Sequence, residues 1–448
     1  MKKNTDILSG SLFKNILFYS IPIILTGILQ LLYNAADIVV VGRYAGSNSL
    51  AAVGSTSSLI NLFINLFIGL SAGTNVCVAQ YIGAKDPHSV RKAVHTSVCV
   101  AFWGGIILMV LGLCFSKLCL ALMQTPTDII DEASLYMRIL FIGMPFNLIY
   151  NFCAAILRAS GNTKTPLLIL SFAGIVNVIL NLVLVITFNR GADGVGTATI
   201  ISQFISMCLV LRYLIKETSD IKLNIKSLGI DKYMFIRILK IGIPSGIQGM
   251  LFSISNVLIQ SSINSFGAAA IAGNSAAGNI EGFAYTSMNS FHQSTLTFTG
   301  QSLGAKKFRE LKRTLVYGCI QVTLVGIFAS ILLLSFGPSL LELYAPEDKT
   351  VISYGINRLH YILPLYFTCG IMEVVVGSLR GMGASLSSML VSVFGVCGIR
   401  IAWVYTVFSH YKTLSSLYCS YPTTWIITAL IQLLLCLKLM HSIISAHK

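Results

Sequence analysis

Twelve apolar runs dominate this chain, at about 16–42, 50–73, 93–115, 133–157, 166–188, 192–214, 237–262, 268–297, 314–336, 352–379, 385–408 and 415–441. A hydrocarbon layer about 30 Å thick requires about 20 apolar residues of helix, and each run supplies that length. The expected fold is therefore all-α: a polytopic membrane protein with twelve transmembrane helices. Composition agrees, since 55% of the 448 residues are hydrophobic and 10% are charged, where a soluble domain carries roughly 25% charged residues. Lys2 and Lys3 open a short polar N-terminus, and the first run is long enough to remain in the bilayer as a helix rather than leave as a signal peptide.

The runs repeat as a set. "AQYIGAKD" at 79–86 returns as "GQSLGAKK" at 300–307, matching Gln80, Gly83, Ala84 and Lys85 to Gln301, Gly304, Ala305 and Lys306 at an offset of 221. Pro22 matches Pro244, and Arg158 and Gly161 match Arg380 and Gly383, at an offset of 222. The expected organisation is an N-terminal six-helix lobe over 1–214, a cytoplasmic linker over 215–236 and a C-terminal six-helix lobe over 237–448. Because six is even, both lobes point the same way and their pseudo-twofold axis runs along the membrane normal. Parallel repeats of this kind are a transporter architecture.

The formal charge of +15 follows topology rather than nucleic-acid binding. Basic residues cluster at the N-terminus (Lys2, Lys3, Lys14), in loop 2–3 (Lys85, Arg91, Lys92), in loop 6–7 (Lys216, Lys222, Lys226, Lys232) and in loop 8–9 (Lys306, Lys307, Arg309, Lys312, Arg313). The opposite loops hold singletons such as Lys117, Arg190 and Lys412. By the positive-inside rule both termini are cytoplasmic. The eleven cysteines, among them Cys77, Cys99, Cys153, Cys208 and Cys397, lack CxxC spacing and histidine neighbours, and read as small apolar fillers.

No GxxxxGK[ST] phosphate cradle is present; "GNTKTP" at 161–166 lacks the required Gly-Lys pair. A transporter without ATP must couple to an ion, which calls for oxygen-rich or ionisable groups at depth. In helix 1, Gln30, Tyr33 or Asn34, and Asp37 fall on one face. Helix 5 carries Asn177 and Asn181 one turn apart, and helix 6 carries Thr199 with Ser202, Gln203 and Ser206 nearby. At 1.5 Å per residue, Asp37 lies about 25–31 Å from the inner surface and Asn181 about 22 Å, while Thr199 lies about 10 Å from the outer one. All three helices can meet in the outer half of the N-terminal lobe. Such a group could take a proton on Asp37 or coordinate a hard cation such as sodium. Two plainer readings stand beside it: an interfacial Asp near a helix end, and amides and hydroxyls that tie helices together.

In helix 8, Glu281, Tyr285, Met288 and His292 form an acidic, aromatic and thioether face suited to an amphipathic organic cation, although such stripes also serve as packing. His292 has the chemistry for a protonation role. Arg400 lies about 22 Å from the inner side of helix 11 and Glu281 about 24 Å from the inner end of helix 8, so a Glu281 to Arg400 pair is expected, with Glu373 the less well matched acid. His88, His95 and His292 form no HxxxxD or paired-histidine cluster, which argues against a lipid-modifying enzyme.

"AADIVVVGRYAGSNSLAAVG", "GLSAGTNVCVAQYIGAKD", "RASGNTKTP", "NVILN", "GVGTATIISQ" and "TFTGQSLGAKK", in order and across both halves, resemble the multidrug and toxic compound extrusion (MATE) family. The resemblance implies two six-helix lobes in a membrane-embedded monomer of the plasma or inner membrane, exporting organic cations or amphipathic drugs in exchange for protons or sodium by alternating access. It implies no cofactor and no enzymatic activity. The family's helix 1 acid falls on Asp37, and its helix 5 and helix 6 partners fall on Asn177, Asn181 and Thr199. Asn181 stands where some members carry a second acid. Ser253 and the region of Cys369 stand where some branches carry C-terminal-lobe acids. The resemblance also leaves a related role open, export of lipid-linked glycans or other amphipathic lipids, although this chain has no room for the extra helices of such exporters.

Overall fold

The structure, a computed structural model, describes residues 7–123, 125–344 and 348–446; Lys2 and Lys3 lie outside the described residues. Twelve long helices account for nearly all of these residues, with no strand among them. They are α1 (Leu12–Ala45), α2 (Gly46–Gly83), α3 (Pro87–Leu122), α4 (Thr127–Ile142 continued by Met144–Ala159), α5 (Lys164–Thr187), α6 (Ala192–Lys216), α7 (Lys232–Asn264), α8 (Ala268–Gly304), α9 (Phe308–Tyr344), α10 (Lys349–Gly381), α11 (Ser385–Phe408) and α12 (Leu414–Ser445).

Several helices outrun the apolar runs that announced them. The second run ends near 73, yet α2 continues to Gly83, because Thr74 to Gln80 are buried inside the protein and not in lipid. Ten helices are long and apolar enough to cross a membrane, and α4, bent by 44° at Gly143, makes an eleventh. Pro145 in its second half has no N–H to carry the helix through the break. It packs so tightly on α3 that a Cβ at Gly105 would lie 2.4 Å from its Cα. The twelfth, α8, is too polar to pass on apolarity alone. It is the central helix of its lobe and buries Asn274, Glu281, Ser290, His292, Ser294, Thr295, Thr297, Thr299 and Gln301 among its neighbours.

The internal duplication is written in the backbone as well as in the sequence. Positive φ occurs at Gly46 and Gly267 (89° and 91°), at Lys85 and Lys306 (54° each) and at Gly161 and Gly383 (90° and 88°), pairs separated by 221 or 222 residues. Left-handed backbone favours glycine and is tolerated by a lysine only where the turn demands it. Equal turns at equal spacing are the mark of one fold used twice.

The chain divides into two compact units whose boundaries fall inside helices. One comprises Leu25–Gly246 and the other residues 7–24 with Ile247 onward; the division therefore cuts α1 and α7, where the sequence suggests a boundary in the linker 215–236. In the first unit, the start of α7 lies against α2 through glycines on both sides. A Cβ at Gly69 would lie 2.2 Å from the Gly246 nitrogen, and one at Gly73 would lie 2.4 Å from the Ile238 carbonyl. "GLSAG" at 69–73 and "GIPSG" at 242–246 thus form a small-residue crossing in which backbone meets backbone. In the second unit the start of α1 meets α8 through equivalent positions, with Ser20 Oγ 2.6 Å from Ser294 Oγ and the Tyr19 hydroxyl donating to Thr297 Oγ1 at 3.0 Å.

The segment before α7 is latched to the start of α3. The Asn224 N–H donates to His95 Nε2 (3.1 Å), the Asp231 N–H to Thr96 Oγ1 (3.0 Å), and Lys92 pairs with Asp231 at 3.1 Å. The same segment and α3 line a cavity of about 770 Å³ that includes His88, Arg91, Lys92, His95 and Lys222. The Met234 N–H, followed by Lys92, holds the Asp231 carboxyl below the usual carboxylate range. Its contribution to this latch is present above the ordinary pKa of an aspartate and is lost as pH falls through the lowered value.

The glycine crossing carries a direct test. Gly69→Leu has no space to occupy, and overpacking of this kind costs about 1–3 kcal/mol or more when the clash is with backbone. The variant is expected to lose several degrees of apparent Tm in detergent, measured by fluorescence-detected thermal unfolding. Gly54→Leu on the same helix, where a Cβ meets nothing within 4 Å, is expected to leave Tm within about a degree, as exposed substitutions do.

Candidate functional site

In the N-terminal unit, the four polar residues picked out by spacing come together. Asn181 Nδ2 donates to Asp37 Oδ1 in a short hydrogen bond and also lies 3.3 Å from Asn177 Oδ1, while Asn177 Nδ2 donates to Thr199 Oγ1 at 3.4 Å. Thr199 in turn donates to the Val195 carbonyl at 3.0 Å. Asn181 is fully buried, and its Oδ1 has no hydrogen-bond partner among the described residues. An enclosed amide oxygen without a donor, beside a carboxylate, fits the oxygen set a proton or a hard cation would use.

The local backbone supports this cluster. Wide π turns at 41–45 and 183–187 follow Asp37 and Asn181 on their helices, a distortion that re-aims side chains and recurs at functional sites. Tyr33 packs where a Cβ at Gly174 would stand and donates to the Ser171 carbonyl at 3.2 Å. Gln30 and Asn34, expected on the same face, are exposed. Spacing missed Tyr136 of α4, which is buried within electrostatic reach of Asp37. Its only sequence signal is a tyrosine one turn after Glu132 on a mixed polar and apolar helix.

The C-terminal unit corrects the expected pairing. Glu281 is held by Arg358 and not by Arg400: Arg358 Nε and Nη2 donate to its two oxygens at 2.8 and 2.7 Å. The third arm of Arg358 donates to Asn274 Oδ1, and Asn274 Nδ2 donates to Gln260 at 2.8 Å. Depth arithmetic compares backbone heights, whereas an extended arginine reaches several Å along a helix axis. The helices decide the rest, since α8 packs along α10, which carries Arg358, while α11 packs on α12.

The face read as a surface for organic cations is also largely enclosed. Glu281, Met288 and His292 are buried and only Tyr285 is exposed. Met288 Sδ would lie 2.9 Å from a Cβ at Gly370. His292 Nδ1 lies 2.8 Å from the Glu373 carbonyl and 3.2 Å from Glu373 Oε2, while Arg380 donates to its Nε2 at 3.4 Å and to Gln248 Oε1 at 2.9 Å. Acceptors on one nitrogen and a donor on the other fix the neutral Nδ1–H tautomer.

A twelve-helix duplicated fold with an acid and amides gathered inside one lobe defines a membrane transporter of parallel-repeat type. Residues 22–183 and 244–406 each match the MatE family, and the chain belongs to it, the family of MATE multidrug efflux transporters. It is 28% identical over 431 residues to the probable multidrug resistance protein YoeA of Bacillus subtilis, covering 94% of this chain and 92% of that one. It is 24% identical to the probable multidrug resistance protein NorM of Thermotoga maritima over 89% of this chain and 86% of that one. The fold matches a solved multidrug resistance MATE family transporter in an outward-facing conformation with a TM-score of 0.93 at 21% identity over 99% of each chain. A MATE structure in a straight conformation matches at 0.92 and 21%, covering 99% of this chain and all of that one.

The buried fork makes a measurable difference to stability. Removing one partner of an enclosed ion pair strands the other and costs about 3–5 kcal/mol. Glu281→Ala and Arg358→Ala are each expected to lower the apparent Tm in detergent sharply. The exchange Glu281→Arg with Arg358→Glu should recover part of that loss, whereas Glu281→Arg with Arg400→Glu should recover none.

Proposed function

We propose that this chain is a secondary active antiporter of the cell membrane, with both termini in the cytoplasm. It exports cationic or amphipathic organic compounds in exchange for protons or sodium by alternating access. The observation that carries the reading is the Asp37, Asn181, Asn177 and Thr199 constellation: one half-buried carboxylate joined to two buried amides and a half-buried hydroxyl inside the N-terminal unit.

In this mechanism Asp37 is the group that loads and unloads. With a proton or cation on it, its charge is matched and Asn181 shares the load through its free Oδ1. When the ion leaves, the carboxylate keeps, among the described residues, the Asn181 amide as its donor. The two states differ in local charge, and that difference biases the N-terminal lobe between substrate-holding and substrate-releasing forms. Asn181 in place of a second acid leaves a single negative charge, so one monovalent ion neutralises the cluster.

The test is dye efflux from proteoliposomes with sodium and pH gradients imposed separately. Asp37→Asn, which keeps shape and loses charge, is expected to reach the membrane and to lose gradient-driven efflux by at least tenfold. Wild-type rates in that variant overturn the role of Asp37.

A further inference from the structure

The C-terminal unit buries more positive than negative charge. Among the described residues its enclosed charged side chains are Arg358, Arg380 and Arg400 against Glu281 and Glu373. Glu281 is spent on Arg358 in a bidentate fork, and Glu373, which faces His292, lies within electrostatic reach of Arg380 but not of Arg400. The surplus falls on Arg400. It is only 4% exposed, yet its partners are neutral: Nη1 donates to Asn256 Oδ1 at 3.1 Å and Nε to Thr424 Oγ1 at 3.4 Å. No carboxylate lies within ion-pair distance of it among the described residues. Nη2 makes no hydrogen bond to them and is not sealed off. The face of Tyr421 lies 4.2 Å from the guanidinium carbon, and Asn256 is exposed, so the group is flanked by an aromatic ring and an accessible amide.

The internal repeat gives this arrangement a counterpart. Asn256 stands 222 residues after Asn34, and Arg400 stands 221 residues after Ile179, between Asn177 and Asn181 on α5. The α7 to α11 contact is therefore the C-terminal copy of the α1 to α5 contact that holds Asp37. At the offsets of Asp37 itself the C-terminal copy has Leu258 and Ile259. One copy places a carboxylate among amides; the other places a guanidinium among an amide, a hydroxyl and an aromatic ring. Arg400 also lies between two wide π turns, 393–398 and 404–408, the second of which matches 183–187 in the first copy. A charge kept inside a membrane lobe without a counter-charge carries a desolvation penalty that no attraction repays, and retention at that cost is the signature of a functional group.

We infer that Arg400, with Tyr421 and Asn256, is an anion-recognising subsite of the C-terminal lobe, the place where the carboxylate of an exported aromatic amphiphile is held. The free Nη2 supplies a charge-assisted donor to a carboxylate oxygen, and Tyr421 supplies a face for the aromatic body. The inference rests on the export reading above and deepens it by assigning the residues that take the anionic end of a substrate.

The experiment separates the two. Purified protein in vesicles of phosphatidylcholine, whose headgroup carries no net charge, is offered rhodamine 123, a methyl-ester cation, and rhodamine 110, the same dye with a free carboxylate. Both dyes are expected to be exported by the wild type. Arg400→Gln should lower the ratio of free-acid to ester transport at least tenfold, and Arg400→Lys should restore most of it. A wild type that moves only the ester, or an Arg400→Gln protein that loses both dyes equally, overturns the subsite and leaves the export reading standing. Failure of both dyes under every gradient overturns the export reading and the subsite with it. A measurement on the wild type alone guards against a variant that does not fold: fluorescein, an anionic dye of related skeleton, should compete with bound rhodamine 110 in fluorescence anisotropy, and its failure to do so at millimolar concentration also overturns the subsite.

Discussion

A charged side chain inside a membrane lobe has to find polar partners within that lobe, and that demand organises the C-terminal half of this protein. The fork between Arg358 and Glu281 requires α10 and α8 to lie side by side, and the third arm of the arginine draws in Asn274 and, through it, Gln260 of α7. The second cluster, Glu373, His292 and Arg380 with Gln248, joins the same three helices nearer the opposite end. A central helix as polar as α8 is tolerable because its polar side chains are turned toward these partners. Hydrophobic packing fills the space between the clusters, but it is the polar contacts that fix which helix sits beside which.

The N-terminal half solves the problem differently. Its helices meet through absence of side chain, with Gly69 and Gly73 against Gly242 and Gly246, and its only acid near the middle of the cluster, Asp37, is served by an amide. The two halves share turns at matched spacing, down to the left-handed lysines, while their interiors carry different chemistry. Backbone geometry was therefore held through the duplication and the buried side chains diverged on it.

Much of this was legible before any coordinates. Apolar length fixed the helices, and one-turn spacing with depth arithmetic brought Asp37, Asn177, Asn181 and Thr199 to one place, because residues on straight helices keep their height and face. What could not be read were contacts that depend on side-chain reach or on neighbour choice. Arg358 was hidden because it lies higher than Glu281 by backbone count and bridges the gap with its own length. Met288 and His292 read as a surface because a polar stripe on a helix looks alike whether it faces a ligand or a buried neighbour. Helix ends were also blurred, since apolarity reports where lipid stops and α2 goes on into protein.

The placement of the unit boundaries inside α1 and α7 bears on how the chain is made. Residues 7–24 leave the ribosome long before Ile247, yet they belong with a unit whose other members begin there. The opening stretch of α1, with Tyr19 and Ser20 looking for Thr297 and Ser294, has to wait in the membrane until more than half of the chain has followed it. The first unit is likewise incomplete until synthesis has passed Gly246. Neither half can be finished alone, so a cell that assembled this protein from two separately inserted pieces would need to cut it elsewhere than at the linker.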